Sequence, residues 1–346
     1  MSEPPTRKLG RYEIRKELGK GAMGAVYLAR DTLLERDVAL KVMASATTSD
    51  PDLKQRFERE AKAVARLQHS NIVTVYDLGY DEAGSPFIAM EFLQGRDLEQ
   101  IIQKDPPPLP QKLDIIVKVC RGLAHAHGHG IIHRDVKPAN IFVTTGGETK
   151  IMDFGVARLA QSSQTRTGMI LGTADYMAPE QISGQRVDAR ADIFSLGVVL
   201  YRLLTQKKPF AGESMQAVFY KILNVDPPAL ALPGSQALPE LQGIVGRALA
   251  KDPAARFQTA DEMAGAIEGF LRRHPEALSK GGAFALAAAP GAGLGPESAE
   301  ATPARKTTLP PESVPLGAAA GAGPVGAPSG PGESTAAPGT AALKPP

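Results

Sequence analysis

Two groups of residues near the start of this chain have types and spacings suited to holding phosphate. Gly19-Lys20-Gly21-Ala22-Met23-Gly24 spells GxGxxG, and a backbone without side chains can lie close over phosphoryl oxygens. In dinucleotide-binding folds the same spelling leads into a helix, whereas here Ala25-Val26-Tyr27-Leu28 continues as a strand. The loop therefore reads as a hairpin turn over phosphate, or more plainly as glycines turning a hairpin. Lys41 lies within Val38-Ala39-Leu40-Lys41-Val42, a strand otherwise apolar, and an inward ammonium needs an anion. Glu60 is a candidate partner. It falls three residues after Phe57 and four before Val64, on or beside the apolar stripe Phe57, Ala61, Val64 and Leu67 of a helix. Paired, the two would aim the lysine at phosphate oxygens; an ordinary surface glutamate in a charge-rich helix is the alternative.

The surrounding elements have two textures. From Tyr12 to about Leu93 the runs YEIRKEL, AVYLAR, DVALKVM, NIVTVYDLGY and PFIAMEF predict an antiparallel sheet of about five strands. One helix interrupts it: Ser49-Asp50-Pro51 offers an N-cap candidate with proline at the first helical position, and about four turns follow. After Gly95 the pattern turns helical. LDIIVKVCRGLAHAH carries an apolar stripe, and ADIFSLGVVLYRLL is apolar almost all round, which predicts a buried central helix. The expected fold is α+β and bilobal, a small sheet lobe over about 11–93 and a larger helical lobe over about 94–275, joined near Glu91–Gln94, after an N-terminal extension 1–10.

Composition narrows the classes further. Thirty-nine basic and 37 acidic residues leave a net charge of +2, which gives no whole-chain reason to bind nucleic acid or an anionic membrane. The single cysteine, Cys120, excludes an internal disulfide framework and fits a reducing, cytoplasmic compartment. No apolar run approaches the roughly 18–20 residues of a membrane span, and the start lacks the apolar stretch of a secretory signal. Of 35 glycines and 29 prolines, 12 of each fall in 281–346, where Phe284 is the sole aromatic residue. That segment reads as a disordered Ala/Pro/Gly-rich tail, either solvated or partner-binding.

The decisive segment is His133-Arg134-Asp135-Val136-Lys137-Pro138-Ala139-Asn140, followed by Asp153-Phe154-Gly155 and Ala178-Pro179-Glu180. With the glycine loop and the VALK strand, over about residues 11–275, the chain resembles the Hanks-type (eukaryotic-like) protein kinases, closest to their bacterial serine/threonine branch. The resemblance implies phosphoryl transfer from Mg-ATP to Ser or Thr hydroxyls of proteins, with Mn2+ as a substitute metal. That chemistry needs alignment and charge neutralisation more than covalent help. Asp135 would accept or orient the hydroxyl proton, Lys137 would neutralise the γ-phosphoryl group, and the Lys41–Glu60 pair would hold the other phosphates. Asn140 and Asp153 are hard oxygen ligands for Mg2+. Leu18, Gly19, Gly21 and Gly24 would cover the nucleotide, Val26, Ala39, Met90 and Phe142 would wall the adenine, Glu91 to Leu93 would offer hinge backbone, and Asp97 would contact ribose.

Control is implied as well. Arg134 is a ready phosphate receptor beside Asp135, and the loop to Glu180 holds Thr165 and Thr167, expected to be autophosphorylated and to dock there. Thr173 would bond Asp135 and Lys137, Glu180 would pair with Arg256, and Asp192 would brace the catalytic loop. His125, His127, His129 and His133 crowd into nine residues. With no cysteine among them, they read as loop-holding and helix-end residues rather than a zinc cluster. A homodimer through the small lobe, allowing autophosphorylation in trans, is known among bacterial relatives. A non-catalytic ATP-binding pseudokinase is the alternative, but no essential group is missing.

Overall fold

The computed structural model describes residues 7–21, 24–43, 51–82, 84–154, 174–230 and 238–275. The first lobe is a six-stranded antiparallel sheet in the order β1-β2-β3-β4-β6-β5, formed by Lys8–Leu9, Tyr12–Gly21, Gly24–Asp31, Arg36–Met43, Val75–Tyr80 (β5) and Pro86–Glu91 (β6). Alternation of side chains along a strand explains its two faces. Val38, Leu40 and Val42 of β4 pack with Leu9, Tyr12, Ala29, Phe87 and Ala89. Ala39 and Met43 pack on the other side with Val73, Ile88 and Met90. Lys41 lies between them in sequence and shares that second face, which puts its ammonium in the cleft. Helix α1 runs Pro51–Val64 and begins at the proline, as the sequence indicates.

The sheet takes in one strand more than the sequence pattern shows. Lys8–Leu9 pairs with Glu13 and Tyr12, and Leu9 is buried in the core. Two residues are too few to display a period, so only the partner strand reveals them. The run NIVTVYDLGY also divides: β5 begins at Val75, while Asn71 to Val73 bond the other lobe. Ile151 N–H donates to Asn71 O and Val73 N–H to Ile151 O, both at 2.9 Å.

The larger lobe contains α2 (Leu98–Lys104), α3 (Leu109–Gly128), α4 (Pro179–Ile182), α5 (Arg190–Thr205), α6 (Met215–Asn224), α7 (Leu238–Ala248) and α8 (Ala260–Arg273). Helix α5 is buried continuously from Ala191 to Tyr201, the outcome its all-round apolar sequence predicts. Its Gly197 lets α7 approach: a Cβ there would come within 2.9 Å of the Ala248 methyl. Cys120 is fully buried on α3 as a core residue, and burial pushes its thiol pKa up. A three-stranded antiparallel sheet, β7 (Gly95–Asp97), β8 (Ile141–Thr144) and β9 (Thr149–Ile151), lines the junction of the lobes. Among the described residues no helix is long and apolar enough to cross a membrane. Residues 281–346 lie outside the described residues.

Candidate active site

The segment His133–Asn140 links α3 to β8, and buried Asp192 of α5 holds its start. One Asp192 oxygen accepts His133 N–H at 2.8 Å and the other accepts Arg134 N–H at 2.7 Å. The first also meets His127 Nε2 at 2.8 Å. These bonds hold Arg134 at φ +64°, in the left-handed region that costs a residue with a side chain energy. His133 continues the scaffold. Its Nδ1 accepts Asp135 N–H at 3.2 Å, so the ring proton sits on Nε2 and is donated to Met152 O at 2.9 Å. The ring also packs on Phe154, with centroids 4.6 Å apart.

Asp135 is thereby fixed with its two oxygens in different surroundings. Oδ2 accepts Lys137 Nζ at 2.8 Å and Asn140 Nδ2 at 3.0 Å. Oδ1 is buried with no hydrogen-bond partner among the described residues. Asn140 Nδ2 also donates to Asp135 O at 2.8 Å, so the amide's donor end faces the aspartate and its oxygen remains for a ligand. Asp153 follows β9 by two residues at φ +60°. The site therefore offers one amide and one carboxylate as oxygen donors, a set that suits Mg2+, which takes few protein ligands and completes its shell with phosphate and water.

Lys41 meets a carboxylate that the sequence does not point to: its Nζ lies 2.7 Å from Asp153 Oδ1. Glu60, on α1, lines a cavity of about 360 Å3 with Arg59, Val64, His129, Ile131 and Arg134.

Val26, Ala39, Met90 and Leu93 collect in one apolar cluster, joined by Val73, Ile88 and Met152. Val73 and Ile88 belong to runs whose pattern predicts strands, whereas Met152 lies in a short segment without periodic signal. Phe142 is half-buried on β8, directly opposite Asp97 of β7. The Asp97 side chain caps α2, accepting Gln100 N–H at 2.8 Å. The N–H of Glu91 is bonded to Thr74 O at 2.9 Å, so what this residue can offer a ligand is its carbonyl oxygen. Leu18, Gly19 and Gly21 lie on exposed β2. Gly24 has its own reason: at φ +133°, a Cβ would come within 1.9 Å of Val42 O, so glycine there is required by contact with β4.

Below the site, Arg256 makes two parallel bonds to Glu180, at 2.7 and 2.8 Å, both residues almost fully buried. Gln181 Nε2 donates to Arg134 O at 3.0 Å, tying α4 to the catalytic loop. Gly155, Thr165, Thr167 and Thr173 lie outside the described residues.

A glycine hairpin over a cleft, an invaginated lysine and a braced aspartate–lysine–asparagine loop, set between a sheet lobe and a helical lobe, define a protein kinase. The protein kinase domain family matches residues 12–265, and the chain belongs to that family. A probable serine/threonine-protein kinase of Streptomyces coelicolor is 41% identical over 310 residues, which is 88% of this chain and 46% of that protein. Serine/threonine-protein kinase PknB of Mycolicibacterium smegmatis is 43% identical, covering 83% of this chain and 48% of its own. The crystal structure of the Mycobacterium tuberculosis PknI kinase domain superposes with a TM-score of 0.62 at 32% identity, covering 78% of this chain and 100% of that one. The chain spans just under half the length of these curated relatives. Its domain is that of a bacterial Hanks-type serine/threonine protein kinase, a family that uses ATP and a divalent metal ion.

Proposed function

We propose that Asp135 is the proton acceptor and Lys137, Lys41, Asn140 and Asp153 the charge-handling groups of phosphoryl transfer from Mg-ATP to a protein Ser or Thr hydroxyl. The observation that carries this reading is the split environment of Asp135. Lys137 and Asn140 hold Oδ2, while buried Oδ1 is left to receive a proton. The substrate oxygen attacks the γ-phosphorus, the bond to the β-bridging oxygen breaks, and ADP leaves. Lys137 offsets the charge on the transferred group and Lys41 that on the other phosphates. Asn140 and Asp153 would hold a Mg2+, or Mn2+ in its place, whose charge would offset that of the phosphates. In nucleotide-bound protein Asp153 would face the metal and Lys41 the phosphates, with Glu60 pairing with the lysine.

Leu18, Gly19, Gly21 and Gly24 cover the nucleotide, Val26, Ala39, Met90 and Phe142 wall the adenine, the backbone of Glu91 and Leu93 faces it, and Asp97 meets ribose. Phosphorylation of Thr165 and Thr167 switches the enzyme on by bringing negative charge to Arg134. Its partners are protein substrates and a second copy of the chain, met through the small lobe. Leu33 and Leu34 are 70% and 55% exposed on the β3–β4 turn, a patch whose burial would stabilise such a dimer. The lone buried cysteine supports a reducing compartment, the cytoplasm. No observation favours a pseudokinase, since the sequence holds the lysine, both aspartates and the asparagine.

The test is phosphate incorporation from radiolabelled ATP into a generic basic protein, comparing wild type with Asp135→Asn and Lys41→Met. Incorporation should fall in both variants; equal incorporation by all three would sink the assignment. Turnover surviving both Asn140→Ala and Asp153→Ala would contradict their metal role.

A further inference from the structure

Lys150 is a lysine only 8% exposed, a costly position that no step above uses. It stands on β9, directly opposite Phe142 of β8, which in turn stands opposite Asp97 of β7. Residues opposite one another in a sheet share a face. One row therefore carries the ribose candidate, the adenine floor and then Lys150. Its Nζ lies 3.1 Å from Glu91 Oε2, at the end of β6 where the hinge begins. The same oxygen accepts Thr74 N–H at 3.3 Å, and Thr74 O accepts Glu91 N–H at 2.9 Å. Adjoining Asn71 and Val73 are bonded in turn to β9, with Asn71 Nδ2 donating to Thr149 O at 2.9 Å. The hinge, the approach to β5 and β9 thus meet at one carboxylate, and its cation is Lys150.

We propose that Lys150 is a positioning residue for the nucleotide: through Glu91 it sets the hinge backbone at a fixed height over Phe142. This rests on the cleft being the nucleotide site. Without the lysine, Glu91 keeps a weak backbone bond and a half-buried charge, and the hinge shifts relative to the adenine floor. The catalytic loop is untouched, because Asp192 holds His133 and Arg134, and Asp135 is held by His133, Lys137 and Asn140. The effect belongs to ATP affinity and not to turnover or to protein-substrate affinity.

The experiment is a fluorescence titration with Mg-ADP together with steady-state kinetics of wild type, Lys150→Met, Lys150→Arg, Glu91→Gln and the Lys150→Met/Glu91→Gln double variant. Wild type that binds no nucleotide would overturn the cleft assignment itself, a failure separate from that of the clamp. With wild type binding, Lys150→Met should weaken ADP binding and raise KM for ATP about fivefold or more, leaving kcat and protein-substrate KM within about twofold. Lys150→Arg should restore affinity, and the double variant should be no weaker than the worse single one. Unchanged ADP affinity in folded Lys150→Met, additive losses, or a fall in kcat with KM for ATP unchanged would overturn the proposal. If Lys150→Met does not fold, Glu91→Gln decides: its carboxamide keeps the shape but loses the ion pair, and unchanged ADP affinity there overturns the clamp.

Discussion

At the scale of single residues, Asp135 shows how much an environment adds to a side chain. Its two oxygens differ because Lys137 and Asn140 reach only one of them. Asp135→Asn removes the proposed proton acceptor and keeps the shape, so kcat should fall about 10²–10⁴-fold with ADP affinity preserved; stopped-time kinetics beside a binding titration separate the two. Asp31 makes a contrasting case. It is fully buried, and although burial opposes its charge, the N–H groups of Leu34 and Leu33 and the guanidinium of Arg11 hold its carboxyl below the ordinary range. A depressed folded-state pKa gives stability that is present above the unfolded value and lost as pH falls through the folded one. Asp31→Asn should therefore lower the urea midpoint at pH 7, and the difference from wild type should shrink steadily below about pH 4. A gap independent of pH would show that the charge contributes nothing. The motif that carries Asp135, Lys137 and Asn140 was legible because its spacing is a local property. The Lys41–Asp153 contact was not, because the two residues lie over a hundred positions apart in sequence.

At the scale of elements, the site is held by supports that do no chemistry. Helix α5 presents Asp192 to three donors of the catalytic segment and α3. Asp192→Asn would turn an acceptor into a donor beside them, so kcat should fall by at least tenfold with only a modest change in Tm. Equal kcat would mean that the left-handed backbone at Arg134 is maintained without it. The Glu180–Arg256 pair is buried from both ends, and removing one partner leaves an uncompensated charge. Arg256→Met should cost about 3–5 kcal/mol of unfolding free energy, read from urea denaturation. Both contacts were expected from the sequence through resemblance. The three-stranded sheet β7-β8-β9 and the strand Lys8–Leu9 were not, since runs of two to four residues carry no hydrophobic period. Their strand character comes from the partner they meet.

At the scale of the whole molecule, the cleft between the lobes is a product of how they are joined. The exposed Leu33 and Leu34 carry the dimer reading. Leu33→Asp/Leu34→Asp should slow autophosphorylation at low enzyme concentration severalfold and leave phosphorylation of an added protein substrate unchanged, as mass spectrometry and radiolabel incorporation would measure. A concentration-independent rate shared with wild type would remove it. By itself the amino-acid sequence determined the class of fold, the chemical groups of the site and the order in which they come. Those follow from local periodicity and from motifs whose residues are neighbours along the chain. Only the tertiary structure decided which charge faces which: Lys41 on Asp153 and Lys150 on the hinge at Glu91. Each of these joins residues separated by many turns of chain. An ion pair depends on distances of a few ångströms that spacing along the backbone does not encode.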